Sequence, residues 1–166
     1  MDGPDPATRV NQFRDRLESA LHARGKTIWR AGEPFAIAQE SIQLGRPVPH
    51  PTFAAEYKIP QALAQTLVDK FAEPAANITS IRIGGLAIVG VPGEPTGELG
   101  LRIVAAGKKM GYESVIVCSH VNGWIGYILA PDDYDRGGYE AHLSFNGRLT
   151  GESVVAAATQ SLRRLR

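Results

Sequence analysis

The sequence predicts an α/β fold in which a mixed sheet contains a β-hairpin and a βαβ unit, with helices packed on the sheet. Three observations carry this. Residues 78–83 alternate apolar with polar, and the pair Gly84-Gly85 separates them from the apolar run Leu86–Val91. That is the pattern of two strands around a tight turn. An apolar strand, a helical pattern and a second apolar strand then succeed one another between residues 86 and 118, the order of a βαβ unit. Apolar residues recur at helical spacing at both ends of the chain.

Taken in order, the first helix spans about 7–23. Val10, Phe13, Leu17 and Leu21 share one face, Pro6 suits the entry and Gly25 the stop. From Pro34 to Leu44, Phe35, Ile37, Ile42 and Leu44 sit among small and polar residues, which reads as an extended segment. Residues 45–60 hold Pro47, Pro49, Pro51 and Pro60. This stretch reads as irregular, the best candidate for an internal linker. A short helix follows from Gln61 to Ala72, with Leu63, Leu67, Val68 and Phe71 on one face.

The second hairpin strand is apolar on both faces, which places it centrally in a sheet. It leads through Pro92-Gly93-Glu94-Pro95-Thr96 into a helix from Gly97 to about Met110. Thr96 suits the N-cap, Glu98 the first turn, Lys108 and Lys109 the last, and Gly111 the stop. The strand Ser114–Cys118 completes the unit. Ligands of such units gather at the carboxyl ends of the strands, here Glu94 and the segment 119–127. Pro131 to Gly138 reads as a polar surface turn. The last helix starts near Glu152, with Val154, Val155, Ala158, Leu162 and Leu165 inward.

The 166 residues suit one α/β domain, or a fragment of a larger one. The chain carries 18 basic and 17 acidic residues, a balance that argues against nucleic acid or an anionic membrane as the main partner. The single cysteine, Cys118, lies in an apolar run and reads as a buried, inert thiol. No run reaches the length of a transmembrane segment, and the N-terminus lacks the pattern of a signal peptide. Taken alone, the chain reads as soluble, and its compartment stays open.

The loop 90–97 is glycine-rich and precedes a helix, yet it has no Gly-Lys-Ser/Thr and places Glu94 where phosphate would sit. Asp133 and Asp135 are spaced like the first ligands of a calcium loop, but Gly137 and Ser144 occupy later ligand positions. His22, His50, His120 and His142 form no His-x-His or His-x-x-x-His pair. Glu94, held between two prolines, reads equally as a rigid ligand or as an acid near a helix N-terminus.

The segment 81–96, ending Val91-Pro92-Gly93-Glu94-Pro95-Thr96, resembles the last part of the catalytic domain of the neutral ceramidases, the neutral/alkaline, non-lysosomal family. So do Asn122-Gly123-Trp124-Ile125-Gly126-Tyr127, Pro131-Asp132-Asp133-Tyr134 and Gly138-Tyr139-Glu140-Ala141. Together and in this order the motifs are specific. The resemblance covers about residues 78–164 and is thin over 1–77. It implies part of a larger catalytic domain that hydrolyses the amide of N-acylsphingosines with one zinc ion, held by two histidines, a glutamate and a tyrosine. By resemblance Glu94 and Tyr127 are metal ligands, and Tyr139 is the catalytic residue that hydrogen-bonds the scissile amide oxygen. The physics is compatible: zinc accepts a carboxylate oxygen, and a cation favours the phenolate.

The sequence also departs from the family. There both histidine ligands, a serine and an arginine lie upstream of Pro-Gly-Glu, and His22 and His50 stand in contexts that do not match. Asp132-Asp133-Tyr134 replaces Glu-Glu-Tyr, and the immunoglobulin-like domain has no counterpart. The expectation is therefore the C-terminal portion of a ceramidase-like zinc-dependent amide hydrolase. Its histidine-bearing half comes in trans or lies outside this sequence. An exposed apolar face would favour that reading. A non-catalytic binding or interaction domain is the alternative. In a third reading His120 or His142 stands in for the lost histidines.

Overall fold

The computed structural model describes residues 34–166 and, before them, Thr8, Asn11, Gln12, Asp15 and Arg16. Contacts divide the chain into residues 1–33 and residues 34–166. The five described residues of the first unit are helical, in keeping with the helix expected there. The stop at Gly25 and His22 lie outside the described residues.

The second unit is built on a four-stranded sheet in the order β1-β2-β3-β5, with β1 Phe35–Gln43, β2 Ala75–Ile83, β3 Leu86–Gly90 and β5 Ser114–Cys118. The β2–β3 hairpin is antiparallel and closes at Ile83↔Leu86. Of the two turn glycines only Gly84 takes a positive φ, +58°. β3 and β5 are parallel, joined by helix α3, Gly97–Lys109. β3 lies between β2 and β5, as its doubly apolar sequence predicts.

One face of the sheet packs on α3 and on the last helix α6, Thr150–Arg164. Ile78, Val89, Leu99, Ile103, Val154 and Leu162 are fully buried there, each contributing about 1.5–3 kcal/mol by leaving water. The other face is apolar too. Ile37, Ile81, Ile88 and Ile116 stand in one register row across all four strands. Its ends are open, Ile37 being 62% and Ile116 48% exposed.

Five expectations need correction. Residues 45–60 are no linker. They carry a helical turn, α1 Phe53–Glu56, bury His50 and Phe53, and the Val48 N–H donates to Phe145 O at 2.8 Å. In α2, Gln61–Phe71, the buried residues are Ala64 and Val68, while Leu63 and Phe71 stay exposed. The polar turn after Ala130 is a helix, α4 Pro131–Arg136, because Pro131 at its first position and Asp132 and Asp133 in its first turn favour a helix start. Thr96 precedes α3 without a side-chain cap; its N–H donates to Ile128 O instead. Cys118 is half-buried rather than buried.

Candidate functional site

Beyond the carboxyl ends of β3 and β5, a two-residue parallel ladder joins β4, Glu94–Pro95, to β6, Tyr127–Ile128. Glu94 and Tyr127 are direct register partners. The Glu94 N–H donates to Gly126 O at 3.1 Å, and the Tyr127 N–H donates to Leu143 O at 3.1 Å. Glycines make this approach feasible. A Cβ on Gly93 would stand 2.6 Å from Gly126 O, and one on Gly126 (φ +91°) only 2.3 Å from Leu143 O.

Tyr139 opens the one-turn helix α5, Tyr139–His142. Its ring meets Tyr127 edge-on, with centroids 5.9 Å apart. Partial desolvation, and then the Glu94 carboxylate, push the Tyr127 phenol above the usual tyrosine range; Tyr139, Glu140 and a hydrogen bond to Glu94 add to this. The three residues singled out from the sequence thus sit along one edge. Glu94 lines a hollow of about 260 Å³ with Thr96 and Ser119. Tyr139 lines another of about 430 Å³ with His50, Thr52 and His142.

His120 also reaches Glu94, with Nε2 at 3.3 Å from Oε1 and both side chains partly open to solvent. Its backbone is left-handed, φ +57°, and two bonds lace this loop to the β3–β4 connection: His120 N–H to Gly93 O (3.1 Å) and Val121 N–H to Val91 O (3.0 Å). His142 is engaged elsewhere. Its Nε2 lies 2.7 Å from Thr52 Oγ1, which lies 2.9 Å from His50 Nδ1. His50 Nε2 lies 3.1 Å from Tyr134 O. A carbonyl only accepts, so His50 carries its proton on Nε2 and accepts the Thr52 proton at Nδ1; His142 then donates from Nε2 to Thr52 Oγ1. This chain of bonds joins residues far apart in sequence, and no motif announces it.

Among the described residues no three histidine, cysteine, aspartate or glutamate side chains come together as a metal cluster. The donors gathered here are a carboxylate, an imidazole and a phenol, types that zinc accepts. A third hollow, about 440 Å³, is apolar and is lined by Val68, Phe71, Trp124, Leu143 and Phe145 among others.

No protein-family model matches the chain. The neutral ceramidase of Mycobacterium tuberculosis (strain ATCC 25618 / H37Rv) is 28% identical over 141 residues, covering 83% of this chain and 19% of that protein. The crystal structure of neutral ceramidase from Pseudomonas aeruginosa shares the fold with a TM-score of 0.59 and 18% identity, over 79% of this chain and 28% of that one. A ceramidase complexed with C2 does so with a TM-score of 0.59 and 18% identity, over 80% of this chain and 30% of that one. The chain spans about a fifth of the Mycobacterium tuberculosis protein and less than a third of the two solved chains.

Proposed function

We propose that this chain, which resembles the neutral ceramidases in both sequence and fold, is the C-terminal portion of the catalytic domain of a zinc-dependent hydrolase of lipid amides. The observation that carries the reading is the pairing of Glu94 with Tyr127 on the β4–β6 ladder, with Tyr139 against the Tyr127 ring. Glu94 and Tyr127 would supply two oxygen ligands. A zinc ion held there supplies Lewis-acid polarisation of a carbonyl and a stronger water nucleophile at neutral pH. The Tyr139 hydroxyl would donate a hydrogen bond to the amide oxygen as negative charge develops on it. The apolar hollow beside Trp124 suits an aliphatic chain.

Two further features support a partner segment. The matched chains are several times longer than this one. The isoleucine row of the sheet is exposed at its ends, which is where the remainder of such a domain would bury apolar surface. The histidine-bearing half would then come in trans or from sequence not included here.

The test is hydrolysis of a short-chain N-acylsphingosine by this chain combined with the upstream, histidine-bearing half of a neutral ceramidase catalytic domain. Zinc-dependent release of fatty acid is expected. It should fall about 100-fold or more in Glu94→Gln and Tyr127→Phe, and by about 100- to 1,000-fold in Tyr139→Phe, the scale of losing one oxyanion donor. Hydrolysis indifferent to Glu94→Gln would sink the reading. Tight association of the two halves without hydrolysis would favour a non-catalytic interaction domain instead.

A further inference from the structure

We infer that His120 supplies a nitrogen ligand from this chain, so that Glu94, Tyr127 and His120 together form a three-donor zinc site. The inference rests on the metal-ligand reading of Glu94 and Tyr127 and adds His120 to it.

The argument begins with distance. His120 Nε2 stands 3.3 Å from Glu94 Oε1. An N–H···O hydrogen bond is usually near 2.9 Å. Two donors bound tetrahedrally to one zinc at about 2.0–2.1 Å are separated by about 3.3 Å. The pair therefore has the spacing of two ligands of one ion.

Positioning comes next. The three side chains issue from segments laced together by main-chain bonds: Glu94 N–H to Gly126 O, beside Tyr127, and His120 N–H to Gly93 O, beside Glu94. His120 holds a left-handed backbone conformation, and so does Asn122 at φ +64°. Such conformations cost a non-glycine residue energy and persist where the surroundings enforce them. Here the two main-chain bonds and the Asn122 amide, which donates to Thr79 Oγ1 at 2.7 Å, enforce the loop.

Access and charge also fit. The His120 and Glu94 side chains are 52% and 40% exposed, so an ion can enter. Among the ion pairs of the described residues, Glu94 has no lysine or arginine partner, whereas Asp69, Asp135 and Glu152 each pair with an arginine. Its carboxylate is left to the imidazole and the phenol.

A set of three protein ligands from this chain leaves one tetrahedral position of a zinc ion to be filled from outside it. It reduces what the absent half must bring, because His120 takes the place of one of its two histidines.

The test is zinc binding by the full chain, stripped of metal and titrated by calorimetry, with cobalt(II) absorption as a second readout. Circular dichroism confirms that each variant is folded. One zinc per chain is expected, weakened about 10-fold or more by His120→Ala, with loss of the intense visible cobalt bands of a four-coordinate site. In the unaltered protein, zinc should shift the Nε2 resonance of His120 in a nitrogen-15 spectrum, a readout that needs no variant. If Glu94→Gln weakens binding while His120→Ala does not, or if the His120 resonance stays still, the inference falls and the Glu94–Tyr127 reading stands. A chain that binds no zinc by itself also overturns the inference and leaves that pair dependent on donors in trans. If Glu94→Gln, Tyr127→Phe and His120→Ala all bind zinc like the unaltered chain, both fall together.

Discussion

Glu94 and Tyr127 face each other as register partners in a parallel ladder only two residues long. So short a ladder has little strength of its own. It is held by flanking main-chain bonds, from Glu94 N–H to Gly126 O and from Tyr127 N–H to Leu143 O, and by the glycines that let these backbones meet.

Gly126 is the most sensitive of these positions. Its φ is +91°, and a Cβ there would meet Leu143 O at 2.3 Å. Gly126→Ala should cost about 1–3 kcal/mol through backbone strain alone, and the collision adds to this. Urea unfolding reads the loss. Zinc affinity should fall with it, although position 126 donates nothing to the metal.

The His142–Thr52–His50 chain of hydrogen bonds calls for a second substitution. Thr52→Val keeps the shape and removes the hydroxyl. His50 Nδ1 and His142 Nε2 then lose a partner on two buried rings. The expected loss is about 1–3 kcal/mol in chemical unfolding. An unchanged midpoint would show that water replaces the hydroxyl at no cost.

The hairpin and the βαβ unit were legible because their strands are long enough to display alternation and their turns carry glycine. The helix at 131–136 was misread because Pro-Asp-Asp composition marks turns and helix starts alike. Residues 45–60 looked like a linker because prolines break regular structure, yet they do not stop Phe53 and His50 from being buried. For the site, Glu94 and Tyr127 were singled out by family resemblance and His120 by its place at the end of a strand. Their closeness depends on a ladder too short to leave a periodic pattern. The Thr52 network left none either, since it joins the segment at 50–52 to a one-turn helix about 90 residues further on.

The open sheet face gives a prediction of its own. Ile37 and Ile116 lie on the outer strands of the isoleucine row and are mostly or half exposed. Ile37→Lys or Ile116→Lys should leave unfolding stability within about 0.5 kcal/mol, as for surface positions generally. Each should weaken association with the upstream half in sedimentation velocity. Stable variants that still bind that half normally would place its docking surface elsewhere.

Acid stability should depend on Glu152. Arg102 donates to both of its oxygens, at 2.7 and 2.6 Å. That hydrogen bonding first, and then the Arg102 charge, hold the Glu152 carboxyl below the usual range against the opposing effect of burial. A pKa lowered on folding stabilises the protein above the unfolded value, and the benefit is lost as pH falls through the folded value. Both side chains are more than a third exposed, so the effect is under about 1 kcal/mol. The gap in Tm between the unaltered chain and Glu152→Gln should therefore be open at pH 7 and close as the pH drops below about 4.

The most direct test of the central claim is the zinc retained by the purified chain after dialysis against a weak chelator, measured beside Glu94→Gln. The account predicts close to one zinc per chain in the unaltered protein and a clear loss in the variant. Close to one zinc per chain in both proteins would contradict it, because Glu94 would then hold none of the metal.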